Sequence, residues 1–313
     1  MTMNRIAVYG HRGWGSSRIV AALIASGAPV RVLYRPGSDI STLPEKTDKI
    51  EVDVNDEAAL VQALKDIDIV ISLVGHEGVQ RQHGFVKAIP KTKVKLFSPS
   101  DLAARYDEQG LRIKVNKEKD DLEKAAKAAG IPTTVVLIGN FAEFALNTMG
   151  MGVDVKGNRL VYTAGSGHAE VNLCTRDYVA AAYVSIFTER PVSEIQNRAI
   201  ALTELTPTGE EVAAALEQKN GSSPETFTHG LETVEREIED GLSDGSLFTL
   251  SWYCRKIWGT GQQYRMIGKD VWAMEGYKKA TLSDLIVEGK LEQYREMPPQ
   301  VMEYFEKGFK SST

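Results

Sequence analysis

The first 140 residues alternate short apolar runs with segments of helical periodicity, and this alternation restricts the fold more than any other feature of the chain. Apolar runs without polar alternation are typical of strands buried on both faces, as in a parallel sheet that helices cover. The predicted strands are residues 6–9, 30–34, 50–54, 67–74, 94–97 and 133–137. The sequence therefore predicts an α/β fold with a doubly wound parallel sheet.

Helix signals occupy the segments between these strands. After the first strand, apolar residues recur at the spacing of one helix face, at Ile19, Val20, Leu23 and Ile24. Gly27 predicts the end of this helix, and Asn55 is the predicted N-cap of a second helix. The order of strands and helices is thus that of repeated βαβ units.

The pattern becomes irregular after residue 140. We assign residues 1–150 to the first domain and residues 151–313 mainly to a smaller C-terminal lobe of mixed α/β structure. A strand at 199–202 and a capped helix at 206–216, together near 198–217, are candidates to return to the first sheet. The smaller lobe is rich in aromatic residues, most of which we expect to be core.

Composition excludes several classes of protein. Lys and Arg total 37 and Asp and Glu total 42, a formal charge of −5, which argues against nucleic acid as the main partner. The sequence contains no run of about 18 apolar residues, so no membrane span is predicted. The first residues do not resemble a signal peptide, so we expect a cytoplasmic protein. Two cysteines without CxxC spacing and five scattered histidines predict no metal site.

A glycine-rich turn directly follows the first strand and opens the first helix. Glycines at such a junction let the backbone approach a pyrophosphate, and the helix N-terminus attracts the anion. The spacing is Gly10-x-x-Gly13-x-x-Ser16, and a plain turn with positive φ is the alternative. The strand–turn–helix context favours a Rossmann-type dinucleotide site. The predicted cofactor-binding residues of this turn are Gly10, Arg12, Gly13, Trp14, Gly15 and Ser16.

The end of the second strand predicts which dinucleotide binds. An acidic residue there would bind a ribose hydroxyl, whereas an arginine accommodates a 2′-phosphate. Here Arg35 occupies that position, and Arg12 in the glycine turn could bring a second positive charge to the same phosphate. We therefore expect NADP rather than NAD, the alternative being that Arg35 is a solvated residue before the Pro36-Gly37 turn.

Two further strand ends supply candidate cofactor contacts. Asp53 and Val54 follow the third predicted strand, where an adenine ring would lie, although Asp53 is equally well explained as a turn residue. The fourth strand ends in residues that would lie near the nicotinamide: Ser72, Leu73, Val74 and Gly75. We assign no chemistry to His76, because loop histidines are commonly only solvated.

These residues carry a resemblance to a known family. The segments concerned are Gly10-x-x-Gly13, Arg35-Pro36, Phe97-Ser98-Pro99-Ser100-Asp101 and Gly130-Ile131-Pro132. Together they resemble the NmrA-like and isoflavone reductase-like group of atypical short-chain dehydrogenases. The resemblance covers roughly residues 5–145, is weaker near 176–179 and is poor beyond about 220.

The resemblance implies a cofactor, a substrate class and additional site residues. Members of the group bind NADPH in a Rossmann domain, and their enzymes reduce aromatic secondary metabolites such as isoflavones and lignan-type ethers. It makes Ser98 a candidate cofactor contact and makes Asn140 and Phe141, which follow the sixth strand, candidate pocket residues. In the reductase branch, a lysine eleven residues before the glycine of the Gly-Ile-Pro segment lies near the nicotinamide, and here that residue is Lys119.

Helical periodicity supports the choice of Lys119 independently. It flanks an apolar stripe, whereas Lys124 and Lys127 point away from that stripe, which consists of Leu122, Ala125, Ala126 and Ala129. A lysine near a covered face loses hydration, which suits it to relay a proton or stabilise an oxyanion. The alternative is a snorkelling lysine on a charge-rich helix.

Two departures from related patterns shape the functional hypothesis. Ser16 replaces the third glycine, and Val115 stands where a Tyr-x-x-x-Lys pair would place its tyrosine, which disfavours an epimerase-like extended enzyme. The leading hypothesis is an NADPH-dependent reductase of a small aromatic or apolar metabolite, with Lys119 catalytic. The alternative is a non-catalytic NADP-binding redox sensor. A small-molecule substrate is the predicted partner, and homodimerisation is left open.

Overall fold

The computed structural model describes residues 3–312. The strands are β1 (Ile6–Tyr9), β2 (Val30–Tyr34), β3 (Asp48–Glu51), β4 (Ile69–Ser72), β5 (Leu96–Ser98), β6 (Thr134–Leu137), β7 (Asn140–Phe141), β8 (Val153–Asp154), β9 (Arg159–Thr163), β10 (Leu173–Cys174), β11 (Arg198–Ala201) and β12 (Glu225–His229). The α-helices are α1 (Trp14–Ala25), α2 (Glu57–Ala63), α3 (His83–Ala88), α4 (Lys114–Ala128), α5 (Ala142–Asn147), α6 (Arg176–Phe187), α7 (Val192–Ile195), α8 (Gly209–Asn220), α9 (Leu231–Asp244), α10 (Thr249–Gly259), α11 (Gln262–Met266) and α12 (Pro299–Glu306). Shorter helical segments are the 3₁₀ turns His76–Gln82, Ile89–Lys91 and Gly110–Arg112 and the π-helical turn Ser283–Val287.

The principal sheet is parallel and has the strand order β3-β2-β1-β4-β5. It continues through a parallel bridge between Phe97 and Thr133 to β6, and β11 lies beside β6. The strand order reverses between β1 and β4, which is where open α/β sheets bind ligands at the carboxyl ends of their strands. This topology confirms the predicted doubly wound parallel sheet.

Burial of apolar side chains explains why these segments form the sheet and its covering helices. All four residues of β1 and all four of β4 are buried, so neither face of the central strands meets water. Helix α1 buries Ile19, Val20 and Leu23, as the periodicity predicted. No helix within residues 3–312 has the length and apolar character that crossing a bilayer requires.

The strand predicted at 67–74 is shorter, Ile69–Ser72, and the one predicted at 94–97 is shifted to Leu96–Ser98. Three further predicted boundaries are wrong because of a local side-chain hydrogen bond or a turn. The third strand spans Asp48–Glu51 rather than 50–54, since Asp53 already begins a turn by accepting hydrogen bonds from Asn55. Asp56, not Asn55, caps α2, because its carboxylate accepts from the Ala59 N–H. Helix α8 begins at Gly209 rather than 206, because Thr208 and Glu211 form a reciprocal capping box.

The chain forms two compact units, and each is assembled from separate segments. Unit 1 contains the residues up to Asp101, Lys114–Val136 and Val179–Ile200, and therefore the principal sheet from β1 to β5 with α1 to α4. Unit 2 contains Leu102–Ile113, Leu137–Tyr178 and the residues from Ala201 onward. The predicted division at residue 150 stays a prediction about folding domains.

Unit 2 has its own small sheet and core. Strand β9 pairs parallel with β12 and antiparallel with β8. A cluster of buried apolar residues from several helices and strands of this unit includes Leu146, Leu160, Leu216 and Trp258. All three tryptophans of the predicted lobe, Trp252, Trp258 and Trp272, are buried, which agrees with their expected role as core residues.

Candidate active site

The glycine turn packs its backbone against the end of the neighbouring strand. Gly10 has φ +98°, and a Cβ atom there would lie 2.8 Å from the Leu73 carbonyl carbon and 2.9 Å from the Val74 nitrogen. The Leu73 N–H donates to the Tyr9 carbonyl at 2.7 Å. Only glycine fits this position, because both the left-handed conformation and the close approach exclude a side chain.

Helix α1 presents an uncapped N-terminus at this turn. Gly13 is the N-cap, no side chain caps the helix, and its first turn holds no acidic residue. The buried Ser16 hydroxyl donates to the Gly13 carbonyl at 3.2 Å, so Ser16 closes the turn from within, while Gly13 is exposed. Backbone N–H groups and the positive end of the helix dipole together suit a phosphate.

Positive side chains flank the turn. Arg12 and Arg35 are both exposed. Burial raises the pKa of Tyr9, while the charges of Arg81 and then Arg35 act in the opposite direction. Hydrogen bonds from Ser41 chiefly hold the pKa of Asp39 below its usual range, with a smaller effect of Arg12. The structure thus adds Arg81, which no sequence motif indicated.

The third-strand candidates have structural roles of their own. The Asp53 carboxylate accepts from the backbone N–H of Asn55 at 2.9 Å and from its side-chain amide at 3.0 Å. Val54 is buried in the core, and a Cβ on Gly84 would collide with its carbonyl oxygen. This is the turn role that the sequence left open for Asp53, and contact of either residue with an adenine ring stays a prediction.

The ends of β4 and β5 are tied together behind the glycine turn. The Ser100 hydroxyl donates to the Val74 carbonyl at 2.7 Å, and the Ser100 N–H donates to Gln82 Oε1 at 2.9 Å. The hydroxyl oxygens of Ser72 and Ser98 are fully buried and have no hydrogen-bond partner within residues 3–312. Gly75 is exposed and begins the 3₁₀ turn that follows β4.

Lys119 lies in a covered ion pair at the end of β5. Its Nζ is 3.4 Å from Asp101 Oδ1, and the two side chains are 11% and 7% exposed. Burial and then the nearby charge of Asp101 raise the pKa of Tyr183 on α6, so this tyrosine is close to the same carboxylate. The structure therefore brings Lys119 together with Asp101, whose role the sequence did not identify.

The other lysines of α4 behave as the periodicity predicted. Lys117, Lys124 and Lys127 are exposed and pair with carboxylates one turn away on the same helix. Lys119 instead pairs with a residue from outside its helix, at a covered position. A snorkelling surface lysine would not be held in this way, which favours the functional interpretation of Lys119.

Asn140 and Phe141 belong to unit 2, whereas the preceding candidates belong to unit 1. They form β7, which pairs parallel with β10 at Leu173 and Cys174. Asn140 is buried and its N–H donates to the Asn172 carbonyl at 3.2 Å. Their predicted pocket role stays a prediction.

Glu143, three residues after Asn140, is a candidate site residue that the sequence analysis missed. It is 2% exposed, and its Oε1 accepts from the Arg176 N–H at 2.9 Å. Its Oε2 has no hydrogen-bond partner within residues 3–312. Burial, and then the negative charges of Glu292 and Glu204, raise the pKa of Glu143 to about 7. A lone glutamate between Phe141 and Leu146 in an otherwise apolar run was the signal that could have found it.

The parallel sheet with its glycine turn places this protein in the Rossmann-type nucleotide-binding class. The model of the NmrA-like family matches residues 2–243, more than half of the chain. The protein therefore belongs to the NmrA-like family, which confirms the resemblance found in the sequence.

Reductases with similar sequences match most of the chain. The chain is 28% identical to an isoflavone reductase of Medicago sativa over 310 residues, which covers 90% of this chain and 96% of that protein. It is 29% identical to the phenylcoumaran benzylic ether reductase PT1 of Pinus taeda over 184 residues, 54% of this chain and 59% of that protein.

Solved structures share the fold. A crystal structure of isoflavone reductase superposes with a TM-score of 0.72 at 23% identity and covers 98% of this chain and 100% of that chain. The binary complex of leucoanthocyanidin reductase with NADPH from Vitis vinifera superposes with a TM-score of 0.71 at 18% identity and covers 97% and 98%.

Gly10→Ala should destabilise the protein more than Gly37→Ala. Both glycines have positive φ, but a Cβ on Gly37 meets no atom within 4 Å, whereas a Cβ on Gly10 meets backbone at 2.8 Å. Gly37→Ala should cost about 1 kcal/mol of unfolding free energy from strain alone, and Gly10→Ala clearly more. Urea denaturation followed by circular dichroism measures both, and equal costs would contradict the close approach.

Glu143→Gln should stabilise the protein at high pH. The pKa of Glu143 is about 7 in the folded protein, above the usual value of 4.5. The folded protein therefore holds the Glu143 proton more tightly than the unfolded chain, and this contribution to the free energy of unfolding is lost as the pH rises from 4.5 through 7. A neutral glutamine avoids this loss, so the variant should gain up to about 3 kcal/mol at pH 8 and nothing near pH 4.

Glu303→Gln is the control, since Glu303 is exposed and pairs with Lys307. It should give no such gain at pH 8. Unfolding free energies of the wild-type protein and both variants, measured between pH 4 and pH 8, check the difference. If the wild-type protein is as stable as Glu143→Gln at pH 8, ionisation of the Glu143 carboxyl does not destabilise the fold and the prediction is wrong.

Proposed function

We propose that this protein is an NADPH-dependent reductase of a small aromatic or apolar metabolite. Full-length relatives are named as reductases, and structures with the same fold include NADPH complexes, which supports an NADP-dependent oxidoreductase. The observation that carries the catalytic part of the proposal is the covered pair of Lys119 and Asp101.

The residues of unit 1 fit this cofactor. The cradle at Gly10, which a Cβ would fill, and the uncapped N-terminus of α1 suit the pyrophosphate. Exposed Arg12 and Arg35 suit the 2′-phosphate, because guanidinium groups bind phosphate through paired N–H donors. When bound, NADPH supplies a hydride.

Lys119 provides the complementary proton chemistry. An ammonium has three N–H donors, so Nζ can contact Asp101 and still donate to an oxygen of the substrate. Donation at that oxygen stabilises negative charge as it develops there, and transfer of the proton neutralises it. Asp101 restrains the flexible Lys119 side chain, so less conformational entropy of this side chain is lost when the substrate binds.

The substrate class is inferred from the relatives. Isoflavone reductases and phenylcoumaran benzylic ether reductases are named for aromatic substrates. We therefore infer an aromatic or similarly apolar metabolite with an electrophilic carbon beside an oxygen that Lys119 can protonate. Aromatic ketones, enones and benzylic ethers meet this description.

Arg35→Ala should strongly weaken the preference for the 2′-phosphate, with Arg12 left as the second positive charge. A charge-assisted hydrogen bond contributes about 1.5 to 3 kcal/mol, so NADPH should bind about 10- to 100-fold more weakly, while NADH binding stays unchanged. Fluorescence titration with NADPH, NADP, NADH and NAD measures this. If no dinucleotide binds the wild-type protein, the glycine turn is only a turn and the proposed function is wrong.

Lys119→Ala should lower kcat by about 100- to 10,000-fold for whichever aromatic ketone, enone or benzylic ether the wild-type protein reduces best. The Kd of NADPH should stay unchanged. Asp101→Asn should lower kcat less, because its amide oxygen still accepts an N–H but carries no charge. Lys124→Ala is the matched control, since Lys124 is exposed on the same helix and pairs with Asp120.

NADPH oxidation with aromatic ketones, enones and benzylic ethers provides the readout. Full activity in Lys119→Ala would remove this residue from the mechanism. Tight NADPH binding by the wild-type protein with no turnover of any panel member would overturn the reductase proposal and favour a cofactor sensor.

A further inference from the structure

Unit 2 contains a cavity of about 270 Å³. Every residue that lines it belongs to this unit, so the cavity forms without unit 1. Its wall combines Glu143 of α5, the start of α6, the segment 277–280 and the π-helical turn Ser283–Val287. Any ligand bound there would be held by unit 2 alone.

Glu143 lines this cavity, and one of its carboxyl oxygens lacks a partner within residues 3–312. The residue is 2% exposed, and Oε1 is engaged by the Arg176 N–H at 2.9 Å. Oε2 is buried and accepts no hydrogen bond from residues 3–312. A buried polar atom left in this way costs about 1 to 3 kcal/mol, a cost that a hydrogen-bond donor placed in the cavity would remove.

Neighbouring carboxylates of the wall, in contrast, have partners. Glu204 Oε2 accepts from the Thr175 N–H and hydroxyl at 2.6 and 2.8 Å, and its Oε1 accepts from the Ala280 N–H at 3.1 Å. Asp284 pairs with Lys290 at 3.0 Å. Glu143, a lining residue of the same cavity, differs from Glu204 and Asp284 in having a carboxyl oxygen without a partner within residues 3–312.

The charge of the wall favours a cation. Five carboxylates and three lysines line the cavity, a formal charge of −2. The negative charges of Glu292 and Glu204 act on Glu143 itself, and a cation beside Oε2 would relieve this repulsion. A neutral donor would satisfy the hydrogen bond but would not offset the charge.

Part of the lining of the cavity is apolar or aromatic and suits a ligand group of the same kind. Tyr277, Ala280 and Leu285 line it. The Tyr277 ring packs edge-on against Tyr178, with ring centroids 5.3 Å apart. Rings held in this way offer a fixed apolar surface to a ligand.

We propose that this cavity binds a small molecule in which a primary ammonium group is joined to an aromatic or apolar part, with Glu143 Oε2 accepting from the ammonium. This site does not depend on the proposed reductase activity, because its residues are all in unit 2 and its ligand is recognised without a dinucleotide.

The test compares three probes of one shape: phenethylamine, 2-phenylethanol and phenylacetate. Isothermal titration calorimetry with the full-length protein at pH 8, without NADPH, measures each Kd. Phenethylamine should bind about tenfold or more tightly than 2-phenylethanol, because a hydrogen bond to a charged group contributes about 1.5 to 3 kcal/mol. Phenylacetate should bind most weakly.

Glu143→Gln should reduce phenethylamine binding to the level of 2-phenylethanol and leave 2-phenylethanol binding unchanged, which also shows that the cavity is intact. Glu303→Gln, an exposed change elsewhere in unit 2, should alter neither. Equal binding of amine and alcohol by the wild-type protein, binding of neither, or full amine binding by Glu143→Gln would each overturn the proposal.

Discussion

The contact between the Gly10 turn and the backbone at the end of β4 is the constraint on which the candidate site depends. Strands β1 and β4 are neighbours at the point where the strand order reverses. A Cβ atom added to Gly10 would lie within 3 Å of backbone atoms of Leu73 and Val74. Glycine permits this approach, and the approach determines where α1 begins. The N-terminus of α1 and the end of β4 are therefore positioned against each other by one packed backbone contact, and a hydrogen bond of Ser100 joins the end of β5 to the end of β4.

The two units bury charge in opposite ways. In unit 1, Lys119 and Asp101 are covered together, so each charge offsets the cost of burying the other and the lysine is restrained without losing its ability to donate. In unit 2, Glu143 is buried beside other carboxylates with one oxygen unpartnered, and its pKa rises to about 7. A compensated pair suits a permanent catalytic group, whereas an uncompensated acceptor beside a cavity suits the recognition of a ligand that brings its own positive charge.

Membership of the NmrA-like family agrees with the fold but does not specify how the two units bury their charged side chains. The fold is shared with reductases at identities of 18% and 23%, and function in such folds lies in the particular side chains of the site. The candidate side chains are Arg35 and Lys119, which the sequence indicated, and Asp101, Arg81 and Glu143, which the structure adds. The contact of Asp101 with Lys119 and the charge effect of Arg81 on Tyr9 join different elements, so local spacing does not reveal them, whereas Glu143 stands out as the one charged residue of an apolar run.

The amino-acid sequence alone predicts the parallel sheet, the place of the glycine turn and the helix face that carries Lys119, because apolar periodicity and glycine placement are properties of neighbouring residues. It left the role of Asp53 open and misplaced the cap of α2, since short polar side chains near a strand end can serve either turn or helix. The pairing of Lys119 with Asp101 and the burial of Glu143 with one oxygen unpartnered within residues 3–312 become visible in the folded chain. Burial and pairing depend on which distant segments pack together, and for these residues that information exists only once the chain has folded.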